Sequence, residues 1–161
     1  MTATALAPVS VPQLRALVGQ EVGLSDWVVI TQEMIDRFAE ATLDNQFIHV
    51  DPDRARNTRF GSTVAHGFLS LSLLPRLCFD TLAPVKGAEM EINYGTNRLR
   101  FLAPVPSGAR LRARFVLKDL SVKSPLQLLR TYAVEVEIEG SDKPALVAEW
   151  LMLLVLGGEE E

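Results

Sequence analysis

An α+β domain, with a helical first half and a sheet-forming second half, is what this sequence predicts. Two observations carry the prediction. The spacing of apolar residues changes near Met90 from a helical period to a period of two. Immediately before that change, Phe68–Leu82 is apolar almost all round, as expected of a helix buried on most sides. The length of 161 residues fits one domain over 1–161 and is enough to bury a sizeable core without covalent staples.

Taken in order, residues 1–9 are small and proline-bearing and are expected to fray, as is the Gly-Gly-Glu-Glu-Glu tail over 157–161. Ser10 can cap a short helix over Pro12–Leu17, with Gly19 as its stop. Val22–Ile30 contains Trp27-Val-Val-Ile30 and reads as a strand. Thr31 caps a helix over Gln32–Leu43, with Met34, Ile35, Phe38, Ala39 and Thr42 on one face. Asp51-Pro52 then begins a short helix, Pro52–Asn57, whose arginines are expected in solvent. Within Phe68–Leu82, Pro75 removes one backbone hydrogen bond, which predicts a kink there, with a break as the alternative.

Four strands follow, at Met90–Phe101, Ala109–Asp119, Leu128–Ile138 and Ala145–Leu156. Leu111, Ala113, Phe115 and Leu117 alternate with Arg110, Arg112, Arg114 and Lys118, giving one dry face and one wet one. Gly140-Ser-Asp-Lys143 turns the chain between the last two strands. The last strand carries Glu149 as its one charge, as if both its faces were covered. Strands this long leave exposed edges, which favours pairing with a second subunit.

Composition narrows the functional classes. The chain is 48% hydrophobic and 22% charged with a net charge of −4, which argues against general nucleic-acid binding. Met1–Pro12 has no lysine or arginine and no signal-like apolar core, and no 18-residue uncharged apolar run occurs. The expectation is therefore a cytoplasmic protein with no membrane association. The one cysteine, Cys78, lies between Leu77 and Phe79 and reads as a small buried hydrophobe.

The chemistry concentrates in Asp44–Gly67, which holds both histidines. Asp44 and His49 are five residues apart, so on a regular helix their side chains would lie roughly 140° apart. They can converge only if the backbone leaves the helix between them, which Asp44-Asn45 followed by Gln46-Phe47-Ile48 allows. Gly67 opens the apolar segment, where free backbone N–H groups and the absence of a side chain admit an anionic ligand. An acid, a base and an anion-stabilising amide make an acid–base site; the bland alternative is a capping aspartate, a hydrogen-bonded structural histidine and a packing glycine.

These residues resemble the MaoC-like, or hydratase-2, family of hot-dog proteins. Its usual motif runs G-D-x-N-P-I/L-H-x-D-x-x-x-A and then F-G-x-x-I-A-H-G. Asp44, Ile48, His49, Asp51 and Ala55 match the first part, and Phe60-Gly61 with Ala65-His66-Gly67 the second. The nodulation-protein-N-like branch is closer, through Gln46-Phe-Ile-His-Val-Asp51, Phe60 to Pro75, and Asn93-Tyr-Gly95 with Leu99-Arg-Phe101. Leu43 departs from the usual glycine or small residue, and Gln46-Phe47 replaces Asn-Pro.

The resemblance implies a hot-dog fold, a long central helix wrapped by a curved antiparallel sheet, and a homodimer. It implies reversible hydration of trans-2-enoyl-CoA to (R)-3-hydroxyacyl-CoA. Asp44 and His49 would hold and activate a water, and the Gly67 N–H would receive the thioester oxygen. Phe47, Ala65, Tyr94 and Asn97 are candidates for touching substrate, on their place in the motif alone. No cofactor is implied beyond the coenzyme A or acyl carrier protein of the substrate, and no metal. His49, His66 and Asp51 lack a recognisable ligand spacing. His66 is expected to hold the start of the helix. Arg98, Arg100, Arg110, Arg112 and Arg114 could attract coenzyme A phosphates but suit the solvated face of a sheet better. An acyl-CoA thioesterase, a non-catalytic acyl-thioester binder and a partner subunit are the alternatives on the same fold.

Overall fold

The computed structural model describes residues 6–157. Helix α1 (Val11–Ala16) starts with a capping box, in which Ser10 and Gln13 satisfy each other's backbone N–H. Just before it, Val9 pairs with Val85, and at the other end the Gly157 N–H donates to the Gly87 carbonyl at 2.9 Å. The expected fraying at 1–9 and 157–161 thus stops short of these two residues; the outermost positions of both stretches lie outside the described residues.

The strand expected at Val22–Ile30 is two, β1 (Glu21–Leu24) and β2 (Val28–Val29), both paired with β4. Ser25 causes the division. It is buried, its N–H donates to the Ala113 carbonyl, and its hydroxyl accepts from the Ala113 N–H, both at 2.9 Å. A side-chain oxygen thereby replaces a backbone carbonyl in the ladder, and the chain bends. Helix α2 (Gln32–Thr42) follows, capped by Thr31, and then the short helices α3 (Phe47–Val50) and α4 (Pro52–Ala55). The Asp51 carboxylate accepts from the Arg54 N–H at 3.0 Å, as an N-cap should.

Phe68–Leu82 is not one kinked helix. It forms α5 (Gly67–Ser72) and α6 (Leu74–Phe79), with Leu73 shared as the cap of both. Pro75 has no N–H to give the Leu71 carbonyl, and its ring would clash there, so the hydrogen-bond ladder is interrupted. Leu69, Leu74, Leu77 and Cys78 are buried, but Phe68 and Phe79 are 62% and 81% exposed. The segment therefore buries one face, not most sides.

Strands β3 (Ala88–Phe101), β4 (Arg110–Ser124), β5 (Gln127–Ile138) and β6 (Leu146–Leu156) complete an antiparallel sheet in the order β1-β4-β5-β6-β3. Helices on one face of this curved sheet give the hot-dog architecture. The alternation expected in β4 holds: Leu111, Ala113, Phe115 and Leu117 are all fully buried. Phe115, Tyr132 and Trp150 meet with ring centroids 6.2–6.3 Å apart at the centre of the core. The outer face of β6 is only half covered, so this apolar strand is fully buried on one side alone. On the outer face of β4, Arg110, Arg112 and Arg114 pair with Glu139, Glu137 and Glu21 or Glu137. The Trp27 ring lies 4.5 Å from the Arg112 guanidinium. Burial disfavours the Glu137 charge, but hydrogen bonds from Arg112 and Arg114 outweigh it and hold this carboxyl below the ordinary glutamate range.

Arg130 breaks the pattern. It lies on the core face of β5, 1% exposed, and its guanidinium meets the Glu91 carboxylate of edge strand β3 at 2.8 Å. Nothing in the local sequence signals it, because the pairing is made across β6. Burial also pushes the Cys78 thiol up to about 11. At pH 8 native Cys78 is therefore expected to resist a thiol reagent until the protein unfolds. Rapid stoichiometric labelling of the folded protein would contradict this. Among the described residues no helix is long and apolar enough to cross a membrane.

Candidate active site

The site begins where α2 ends. Leu43 takes the left-handed conformation with φ 62°, which turns the chain out of the helix before Asp44. This is the conformation that favours glycine, and it accounts for the small residue usual at that place in the resembling motif. A leucine there costs about 1–2 kcal/mol against glycine, partly offset by the greater freedom of an unfolded glycine. Leu43 is 83% exposed, so little packing would be lost. Leu43→Gly is expected to raise unfolding stability by up to about 1 kcal/mol, read from the denaturant midpoint. A lower midpoint would contradict the strain.

Asp44-Asn45-Gln46 then runs without helical structure into α3, which carries His49 inward until it is 8% exposed. The backbone does leave the helix between Asp44 and His49. Gln32, on α2, locks the arrangement: its side-chain amide donates to the His49 carbonyl at 2.7 Å and accepts from the Thr63 hydroxyl. The Val64 N–H donates to the Ile48 carbonyl at 3.0 Å, and the Ala65 N–H to the Val105 carbonyl at 2.8 Å. These bonds fix the segment that delivers His66 and Gly67.

His49 Nδ1 lies 2.6 Å from the Val64 carbonyl oxygen. A carbonyl can only accept, so Nδ1 carries the proton and neutral His49 keeps its lone pair on Nε2. His66 Nε2, by the same reasoning, donates to the Asp44 backbone carbonyl at 3.0 Å, and it lies 3.9 Å from the Asp44 carboxylate. The two imidazoles stack, with centroids 3.7 Å apart and planes inclined by 24°. One polar atom from each of Asp44, His49 and His66 falls within 4.8 Å of the others. The Asp44 side chain is 57% exposed while both rings are buried, so the carboxylate stands between solvent and the histidines.

His66 therefore does more than begin α5. It makes no side-chain cap bond to that helix, and instead supports His49 by stacking and Asp44 through its carbonyl. The three polar atoms are close enough to meet one metal ion, but His49 Nδ1 and His66 Nε2 are taken up by the Val64 and Asp44 carbonyls.

Gly67 is the first residue of α5, so its N–H has no partner within the helix. It lines a cavity of about 250 Å³ together with Ala65, Ser70, Phe101 and Val105, and with Arg59 and Phe60. A Cβ at Gly67 would come within 2.9 Å of the Phe101 ring, so a glycine is what the close packing admits. Phe47 is half-buried on α3 beneath the Arg54 guanidinium, 4.2 Å from its ring centroid, so that arginine is not merely solvated. Tyr94 is 57% exposed on edge strand β3. Asn97 lines a different groove of about 770 Å³ on the outer face of the sheet, with Arg98, Arg100 and Glu149. Within one chain, then, Asp44 and His49 come together with His66. Ala65 and Gly67, the chain neighbours of His66, line the cavity with Ser70, and neither Phe47 nor Asn97 lines it. Gln32 and Ser70 are the additions that the sequence reading missed, and His66, expected only to hold the start of the helix, also stacks on His49.

A family model described as the MaoC like domain matches residues 13–139. The chain belongs to the MaoC-like family. It is 50% identical over 146 residues to 3-hydroxyacyl-thioester dehydratase Z of Mycobacterium tuberculosis (strain ATCC 25618 / H37Rv), spanning 91% of this chain and 96% of that protein. It is 44% identical over 146 residues to nodulation protein N of Rhizobium leguminosarum bv. viciae, spanning 90% of this chain and 91% of that one. Among solved structures, the (R)-hydratase from A. caviae involved in PHA biosynthesis superimposes with a TM-score of 0.64 at 26% identity, covering 84% of this chain and 94% of that one. This MaoC-like chain thus sits among hydratases and dehydratases of acyl thioesters, in the nodulation-protein-N-like branch.

Proposed function

We propose that this MaoC-like protein is an (R)-specific enoyl-CoA hydratase, equally a 3-hydroxyacyl-CoA dehydratase in reverse, working in the cytoplasm as a homodimer. The observation that carries the reading is the tautomer of His49. With its Nδ1 proton held by the Val64 carbonyl, Nε2 is free to act as a base, on a ring that has a nitrogen within 4.8 Å of the Asp44 carboxylate. A water held between Asp44 and His49 loses a proton to Nε2 as its oxygen bonds to C3 of the enoyl thioester. The π electrons move toward the thioester oxygen, where the Gly67 N–H receives the developing negative charge. Collapse of the enolate takes the proton back at C2. One water is added and nothing is oxidised or reduced.

Ionised Asp44 orients the water and offsets positive charge on the imidazole, whose ring is held by stacking on His66. Arg59, at the cavity beside Gly67, has no carboxylate partner among the described residues, which suits a substrate whose carrier arm is anionic. Edge strand β3 exposes Met90, Ile92 and Tyr94, which supports pairing of two copies there.

The test is product identity from the wild-type protein. Incubation with crotonyl-CoA is expected to give (R)-3-hydroxybutyryl-CoA, resolved by chiral chromatography, with no free coenzyme A. Release of free coenzyme A from butyryl-CoA without hydration would replace this reading with a thioesterase.

A further inference from the structure

Ser70 is 2% exposed, and its hydroxyl has no hydrogen-bond partner. That is unusual for a serine inside a helix, which ordinarily donates back to the carbonyl four residues earlier. Ser72, on the same helix, does so, donating to the Phe68 carbonyl at 2.7 Å, and Thr42 and Thr81 do the same on their helices. Ser70 alone of these leaves its hydroxyl unused. It is three residues beyond Gly67, hence on the same side of α5 one turn further on, and both line the one cavity of about 250 Å³. An unpartnered hydroxyl beside an unpartnered backbone N–H, in a cavity otherwise walled largely by apolar groups, is a pair of donors awaiting one acceptor.

We propose that the Ser70 hydroxyl is a second donor to the thioester carbonyl oxygen of the substrate, acting with the Gly67 N–H. Ser70 would then be a catalytic residue, its bond strengthening as charge builds on that oxygen during water addition. This rests on the hydratase reading above. The apolar side chains nearby would exclude water, and His66 Nδ1, also buried without a partner, makes no hydrogen bond to the hydroxyl, which leaves the substrate to supply its acceptor.

The test uses Ser70→Ala in the full-length protein, with three readouts. With crotonyl-CoA, kcat is expected to fall about 10- to 100-fold, with little change in KM. The thermal midpoint is expected to stay level or rise, because the variant removes a buried hydroxyl that has no partner in the free protein; a clear fall would mark a structural role and overturn the proposal. The infrared carbonyl stretch of bound butyryl-CoA, which needs no turnover, is expected at lower frequency in the wild type than in Ser70→Ala. An unchanged stretch and unchanged kcat would overturn the proposal while leaving the hydratase reading in place. A shifted stretch in a wild-type protein that hydrates no enoyl thioester would uphold the Ser70 contact and sink the hydratase reading.

Discussion

Replacing His49 with glutamine is expected to lower kcat/KM for crotonyl-CoA by about 10²–10⁴-fold, the range that a positioned general base supplies. The substitution is chosen for what it keeps. A glutamine amide can still donate to the Val64 carbonyl and fill much of the space between Val64 and His66, so the bond that orients position 49 survives. What is lost is a nitrogen able to accept a proton. Circular dichroism and the thermal midpoint should therefore stay close to wild type while turnover disappears. A folded His49→Gln protein with wild-type rates would remove the base from the account, and the tautomer argument with it.

The second large effect is expected at Gly67, and it needs two variants. Proline fits the first position of a helix, and His66, with ψ 137°, already has the extended backbone that a following proline requires. Gly67→Pro therefore deletes the N–H with little change in the path of the chain. Both proline and alanine bring a Cβ against the Phe101 ring, which must move aside in either case. Gly67→Ala keeps the N–H and so reports the cost of that crowding alone, expected at about tenfold in kcat through slight misplacement of the substrate. Gly67→Pro is expected to lose a further 10²–10³-fold or so, the worth of one oxyanion donor. Equal activity of the two variants would mean that the N–H takes no part.

How much of this was legible in the sequence follows from how local each signal is. The alternation in β4 and the caps at Ser10, Thr31 and Asp51 are local patterns, and each forms where the residues indicate. The need for a break between Asp44 and His49 followed from helix geometry, and the non-helical Asp44-Asn45-Gln46 supplies it after Leu43 has turned the chain out of α2. The left-handed conformation itself could not be read from a leucine, since it is a residue that rarely adopts it. Phe68–Leu82 misled because apolar content suggests burial on all sides, whereas Pro75 divides the segment and leaves two of its aromatic rings in solvent.

What sequence could not show was made by pairing between distant segments. Gln32 reaches the His49 carbonyl across 17 residues, and His66 reaches the Asp44 carbonyl across 22. Ser25 divides a strand by bonding to Ala113, 88 residues away, and Arg130 is tolerated in the core because Glu91 meets it across an intervening strand. His66 carried one usable signal, its position directly before Gly67. Its stacking on His49 belongs to the tertiary structure alone.

The measurement that tests the central claim most directly is the loss of enoyl-thioester absorbance from crotonyl-CoA, followed for the wild-type protein and for Asp44→Asn side by side. Asparagine keeps the size and backbone of the residue, and so the carbonyl that His66 holds, while removing the charge beside the water. The wild type is expected to consume the enoyl chromophore, and Asp44→Asn to do so at least about 100-fold more slowly in a protein of unchanged fold. Equal rates in the two proteins would contradict the assignment of Asp44 and His49 as the pair that adds water.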